Sequence, residues 1–364
     1  MKRILCIVQL PPPVHGVSMM NQLTLKAFNS EVNLKTKVID YSFTKSISGI
    51  GKMSLNKIFV FLKHLCKVIY NISVFRPNAI YFTLSPVGSA FYRDAILVII
   101  IRCIFRQEII FHLHGKGIFH EMESSYFKYN IYNYVFKNTN VIHLSENLFD
   151  DIKLINTIKK KYVVPNGIKY FDFEKDKENR VNKIRILYLS NLIETKGVLI
   201  LLEALKIIKD KGLNFECKFV GQTSNSITKE VFYSKLNTYD LDGYVEYCGP
   251  LYGQDKNKIL AESEIFIFPT YKDCFPLVIL EAMQAGLAII STNEGAIPSI
   301  LENCGVIVEK QSIEALVIAI ERLVDSQQLR IELGLKAKKR FVTNYTLDKY
   351  KENILDTIKN ILSI

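Results

Sequence analysis

The 364-residue sequence contains neither GxGxxG nor GxxxxGK[ST]. This argues against an ordinary dinucleotide fingerprint and against a P-loop. Seven cysteines (Cys6, Cys66, Cys103, Cys217, Cys248, Cys274 and Cys304) form no CxxC pair and are odd in number. A reduced, cytoplasmic compartment is the simplest expectation. No secretory leader is recognised, because "MKRILCIVQLPPP" runs an apolar stretch into prolines and reads as a first β-strand. The longest apolar run, "AILVIII" (95–101), stops at Arg102 and falls short of the ~20 residues that cross a bilayer. Helix-turn-helix, zinc-ligand and RNA-binding patterns are missing as well, so nucleic acid is not an expected partner.

Apolar material, by contrast, is plentiful. Hydrophobic residues make up 49%, with 22 Phe and 19 Tyr, enough for two cores in a chain too long for one ordinary domain. The net charge of +11 is uneven. Residues 1–165 hold 21 Lys and Arg against 9 Asp and Glu, a formal +12, and the remainder holds 26 against 27. An anionic membrane surface or a phosphate-bearing substrate fits such a basic first half.

Short apolar strands alternate with amphipathic stretches. Strands are predicted at 3–10, 36–41, 79–84, 108–114 and 140–145, then at 184–190, 215–221, 245–249, 265–269, 288–292 and 305–309. Helices are predicted between them, for example over 198–211, 276–285 and 312–324. This order predicts an α/β fold with parallel sheets and right-handed crossovers. The Pro-Asn-Gly and charged run within 163–183 reads as a linker. Residues 1–165 and 166–340 are thus expected as two Rossmann-like domains facing a cleft, with 341–364 a helix packed back on the body. In 55–72, Ile58, Leu62, Leu65 and Ile69 share one helix face, with Lys57, His64 and Lys67 opposite. Such a helix covers a sheet or rests on a membrane.

Chemistry concentrates at strand ends. In "DCFPLVILE" (273–281), Pro276 suits the first helical position, and the Leu277 and Val278 amides then lack intrahelical acceptors. A helix start of this kind binds phosphate, with Glu281 one turn deeper and Asp273 in the loop before it. "ILYLSNLIETKGVLILLEAL" (186–205) places Lys196 and Gly197 between strand and helix. "QLPPPVHGVSMMNQLTLKAF" (9–28) places Gly16 where backbone amides approach an anion closely. "IIFHLHGKG" (109–117) sets His112 and His114 on one face of a strand. A metal pair there lacks a third ligand of matching spacing. Asp-x-Asp in "YDLDGY" (239–244) reads as a turn, so no metal site is expected.

These stretches together resemble the retaining, family 4 nucleotide-sugar glycosyltransferases of the GT-B fold. The family's paired acids are Glu-x7-Glu, here Asp273 and Glu281. Lys196 falls on its diphosphate lysine, while Asn191 stands at its arginine. Gly16 matches its glycine-rich loop, with His15 where a second glycine is common. "VEYCGPLYGQDK" (245–256) matches the base-edge loop at Pro250 and Leu251, and "STNEGAIPSIL" (291–301) the segment after the acids. The resemblance implies a GT-B fold and a metal-independent hexosyl transfer, with retention, from a nucleoside diphosphate sugar, most commonly a UDP-sugar. The nucleotide sugar is then a co-substrate, and no cofactor is implied. It assigns His114 to the reacting sugar face beside Asp273 and Lys196. Donor contacts fall to Gly16, Asn191, Lys196, Pro250, Leu251, Asp273, Phe275, Pro276, Leu277, Val278 and Glu281. On the acceptor side stand His15, Ser85 and Lys116. The subgroup resembled builds capsule, exopolysaccharide or O-antigen, with a glycan or lipid-linked glycan acceptor at the inner face of the plasma membrane. Rival readings are a GT-B nucleotide-sugar epimerase and a catalytically degenerate binding subunit.

Overall fold

The computed structural model describes residues 1–13, 16–43, 55–173 and 183–364. The chain divides into two compact units, Met1–Asn166 with Asp348–Ile364, and Gly167–Leu347. Each unit is built on a six-stranded, wholly parallel sheet.

In the first unit the order along the chain is β1 (Lys2–Val8), α1 (Gly16–Ser30), β2 (Leu34–Asp40), α2 (Leu55–Phe75), β3 (Ala79–Phe82), α3 (Gly88–Ile104), β4 (Glu108–His112), α4 (Ile118–Glu123), α5 (Tyr126–Phe136), β5 (Asn140–His143) and β6 (Lys160–Val163). The sheet runs β2-β1-β3-β4-β5-β6. Central strands are buried on both faces, which is why β3, β4 and β5 read as continuous apolar runs rather than alternating ones. Phe82, Phe91, Phe111 and Phe136 lie at the centre of the core.

The second unit continues with β7 (Ile184–Leu189), α6 (Val198–Asp210), β8 (Phe215–Val220), α7 (Lys229–Thr238), β9 (Val245–Gly249), α8 (Gly253–Glu262), β10 (Ile265–Phe268), α9 (Leu277–Gln284), β11 (Ala288–Thr292), α10 (Ile297–Leu301), β12 (Val306–Val308), α11 (Ile313–Asp325) and α12 (Gln327–Asn344). Its sheet runs β12-β11-β10-β7-β8-β9. Helix α13 (Leu347–Leu362) belongs to the first unit from Asp348 onward, so α12 stays with the second unit to its end. There Tyr350 hydrogen-bonds Thr24 of α1, and Lys359 pairs with Glu31 at 2.6 Å.

Three details depart from the sequence expectations. Strand β6 was missed, because "KKYV" is half-buried at an edge and carries little apolar signal. Pro276 is not the first residue of α9 but its N-cap, at φ −74° and ψ 113°. The buried stripe of α2 is Val68 and Ile72, with Phe61 and Leu65 packed against the core. Ile58 and Leu62 face outward instead, and His64 lies on the inward side against Tyr41 and Phe43.

Candidate functional site

In the second sheet the chain steps outward from β7 in one direction and from β10 in the other. Loops leaving the carboxyl ends of two such strands go to opposite faces and open a crevice between them. Those loops are 190–197 and 269–276, the stretches that carry Lys196 and Asp273. They are stitched together by Thr195, whose carbonyl accepts from the Tyr271 amide and the Thr270 hydroxyl, each at 3.0 Å. Gly197 permits the approach, since at φ +81° a Cβ would lie 2.2 Å from the Pro269 carbonyl oxygen.

The Lys196 Nζ donates to Asp273 Oδ2 at 2.5 Å and to the Lys272 carbonyl at 3.0 Å. Asp273 Oδ1 accepts from the Cys274 amide at 2.8 Å. Behind this loop Glu294, 2% exposed, accepts the Asp273 amide through Oε1 at 3.1 Å. Its Oε2 pairs with Lys310 at 3.1 Å. Gly295 lets the segments close on one another, because at φ +54° a Cβ would stand 2.5 Å from the Asp273 carbonyl oxygen. Glu294 had no role in the sequence reading, although "STNEGAIPSIL" contains it; its burial is a tertiary property.

Helix α9 starts beside this loop. Leu277 and Val278 are its first residues, with amides ahead of the first i→i−4 bond. Phe275 turns its ring inward. The ring is buried and meets Tyr345 edge-on, as an apolar side chain next to a core should. Glu281, one turn in, pairs through Oε1 with Lys256 of α8 at 2.7 Å. Lys256 closes the quoted base-edge stretch and was not singled out. Asn191 Oδ1 accepts from the Gln222 amide at 3.2 Å, tying the β7 loop to the β8 loop. Pro250 is exposed and Leu251 half-buried between β9 and α8.

In the first unit the sheet order reverses between β1 and β3. Gly16 opens α1 after β1, and Ser85 follows β3, its amide bound to the buried Asp94 carboxylate at 3.0 Å. Thr83 and Asn21 join the two segments at 2.7 Å. His15 lies outside the described residues. His114 sits two residues past the end of β4, its ring 4.1 Å from that of His112. The Tyr81 hydroxyl meets His112 Nδ1 at 2.5 Å, and His143 Nδ1 accepts the Leu144 amide at 2.9 Å. Burial holds all three imidazoles neutral, with His114 and His143 lowered to about 3. Lys116 is half-buried, next to Gly117, where the Asp151 carboxylate accepts the Gly117, Ile118 and Phe119 amides. That helix start is therefore filled by the chain's own anion.

Among the described residues no three His, Cys, Asp or Glu side chains are grouped to hold a metal ion. In the Asp-x-Asp turn, Asp240 takes Lys209 at 2.6 Å.

Residues 171–340 match the model of the glycosyl transferases group 1. The capsular polysaccharide biosynthesis glycosyltransferase CapM of Staphylococcus aureus is 27% identical over 232 residues, covering 58% of this chain and 59% of CapM. An Escherichia coli UDP-Gal:alpha-D-GlcNAc-diphosphoundecaprenol alpha-1,3-galactosyltransferase is 25% identical over 217 residues, covering 54% of each chain. The matched part thus spans less than two thirds of either relative. Among solved structures, Anabaena HepE in complex with UDP-glucose superposes with a TM-score of 0.72 at 15% identity, over 99% of this chain and 100% of HepE. The fold is therefore GT-B, two Rossmann-like α/β units. Residues 171–340, which contain Lys196, Asp273 and Glu281, are thus similar to the glycosyl transferases group 1.

Proposed function

We propose that this chain transfers a hexosyl residue from a nucleoside diphosphate sugar to a glycan or lipid-linked glycan acceptor, with retention, in capsule, exopolysaccharide or O-antigen assembly. The observation that carries the reading is the meeting of Lys196 and Asp273 at the β7/β10 switch point, beside the start of α9. An ammonium has three N–H groups, and two are engaged here by the Lys272 carbonyl and the Asp273 carboxylate. The third is assigned to a phosphate oxygen of the donor.

The Lys196 charge and the Leu277 and Val278 amides stabilise the departing diphosphate, without a metal ion in this reading. Glu281, steadied by Lys256, accepts hydrogen bonds from the ribose. Asp273 orients the donor sugar, and the neutral His114 ring faces the reacting sugar. Pro250 and Leu251 border the base, and Asn191 with Gln222 shapes the loop beside the phosphates. The Gly16 loop approaches the donor diphosphate, and His15, Ser85 and Lys116 form the acceptor side. A UDP-sugar is the favoured donor because HepE is solved with UDP-glucose and the E. coli relative uses UDP-Gal. That relative's diphosphoundecaprenol acceptor supports a lipid-linked substrate at the cytoplasmic face of the membrane.

The test is a panel of nucleotide sugars read by thermal shift and then by release of the nucleoside diphosphate. A donor that binds the folded protein raises its melting temperature. Lys196→Ala, Asp273→Ala and Glu281→Ala are expected to lose release with the wild-type fold intact. Turnover at the wild-type rate in all three refutes the assignment. Donor binding without release in the wild type favours a binding subunit, and solvent-proton exchange without acceptor favours an epimerase.

A further inference from the structure

Among the described residues, one helical stretch, Ile58–Phe75 of α2, is long and apolar enough to cross a membrane, and only 17% of it is buried. The longest unbroken apolar run of the sequence, 95–101, lies elsewhere, in α3. Crossing is incompatible with the packing of α2. Val68 and Ile72 are buried in the core of the first unit, and Phe61 and Leu65 pack against the same cluster. Pulling the helix into a bilayer core would strip that stripe from the sheet.

The opposite face is the unusual one. Ile58, Phe59, Leu62, Tyr70 and Val74 are each between 50% and 73% exposed. At 100° per residue these five, with the exposed Cys66, fall on one outward half of the helix over about 24 Å of its length. An ordinary surface helix turns charged residues outward, whereas this one turns out an apolar strip. Lys63 and Lys67 are exposed along one edge of that strip. Over its whole length α2 contains three lysines and no carboxylate. It sits in the half of the chain that carries the +12 excess.

We propose that the outward face of α2 docks in the headgroup layer of an anionic lipid bilayer, the helix lying along the surface. Phe59, Leu62 and Tyr70 enter the boundary between headgroups and acyl chains, and Lys63 and Lys67 meet lipid phosphates at its rim. Lipid is chosen over a protein partner by the charge. A second copy packed antiparallel on this face would bring lysine against lysine across the two-fold contact, whereas an anionic bilayer complements both the strip and its rim. Docking here is separate from the transfer chemistry and survives if that reading fails.

The experiment is co-sedimentation of the full chain with vesicles of phosphatidylglycerol and phosphatidylcholine, and with phosphatidylcholine alone, at low and high salt. Binding is expected to the anionic vesicles only, weakening as salt rises. The double variant Lys63→Glu/Lys67→Glu is expected to lower the partition coefficient by about tenfold to a hundredfold. Phe59→Ser/Leu62→Ser removes binding without altering the far-ultraviolet spectrum, because neither side chain is in the core. Lys206→Glu, exposed on α6, leaves partitioning unchanged. Equal binding by wild type and both double variants overturns the proposal. So does a lipid-free dimer that Phe59→Ser/Leu62→Ser dissociates, since the strip is then a contact between copies. Nucleotide-sugar thermal shift, measured alongside, reports the donor site independently.

Discussion

Lys196 and Asp273, 77 residues apart in the chain, meet at 2.5 Å because β7 and β10 are neighbours at the point where the sheet order reverses. The pair is only about one fifth exposed on either side. An ammonium so placed has little water to screen it from an incoming diphosphate. Lys196→Ala is therefore expected to lower kcat/KM for nucleotide-sugar turnover by about 10²–10³, as removal of one preorganised donor does. Lys196→Arg should recover part of this loss while altering geometry. A steady-state comparison of the two variants checks it, and equal activity in both would separate charge from the site.

Glu294 backs the Asp273 loop. It holds the Asp273 amide on one oxygen and Lys310 on the other, from a position 2% exposed. Glu294→Ala leaves that amide without its acceptor, and is expected to cost about 1–3 kcal/mol of stability. It should also raise KM for the donor, because the Asp273 loop loses its backing. Glu294→Gln keeps an acceptor for the amide and should restore most of the KM while losing the Lys310 pair. Thermal melts and donor titrations on both variants distinguish positioning from bulk stability.

Much of this site was legible in the sequence, for identifiable reasons. Parallel strands buried on both faces give continuous apolar runs, so β7 and β10 announced themselves, with Lys196 beyond the carboxyl end of the first and Asp273 and Glu281 beyond that of the second. What could not be read were partners fixed only by tertiary closure. Glu294 behind Asp273, Lys256 on Glu281 and Asp151 at the Gly117 amides are distant or unpatterned pairs. The inward turn of the Phe275 ring was likewise unreadable, because sequence shows a motif position but not which way its side chain turns. The α2 face read from periodicity straddles the core boundary, with Leu65 inward and Ile58 and Leu62 outward, since a helix apolar on nearly every side has no single stripe to read.

Gly197 and Gly212 offer a paired test of the loop closure. Both have positive φ, +81° and +80°, but only Gly197 has a neighbour that a Cβ would strike, the Pro269 carbonyl at 2.2 Å. Gly212→Ala should carry only the backbone penalty, about 1 kcal/mol. Gly197→Ala adds a collision with main chain that cannot rotate away, so its loss should exceed that of Gly212→Ala by at least about 1 kcal/mol. Denaturant melts of both proteins give the difference directly, and donor binding should fall only in the Gly197 variant. Equal losses would mean that the 190–197 loop is not pressed against Pro269.

The buried imidazoles predict an acid-sensitive first unit. Burial chiefly, then the neighbouring imidazoles, holds His112 far below the ordinary value of 6.5 and His143 at about 3. Both side chains are fully buried, so the folded state keeps them neutral where the unfolded chain protonates them. The unfolded state then binds more protons between about 3 and 6.5, and stability rises with pH across that window. It is fully present above pH 6.5 and is lost progressively as pH falls toward 3. At pH 5.5, one unit below the ordinary value, His143 removes about 1 kcal/mol relative to pH 8, and His112 acts in the same direction. Melting temperature against pH measures the slope, with His143→Gln and His112→Gln as comparisons. Either variant will be less stable at pH 8, since His112 loses Tyr81 and His143 the Leu144 amide. The discriminating quantity is the difference between pH 8 and pH 5.5, which should shrink when either imidazole is removed, by about 1 kcal/mol for His143. An acid slope unchanged by both substitutions would place the titrating groups elsewhere in the chain.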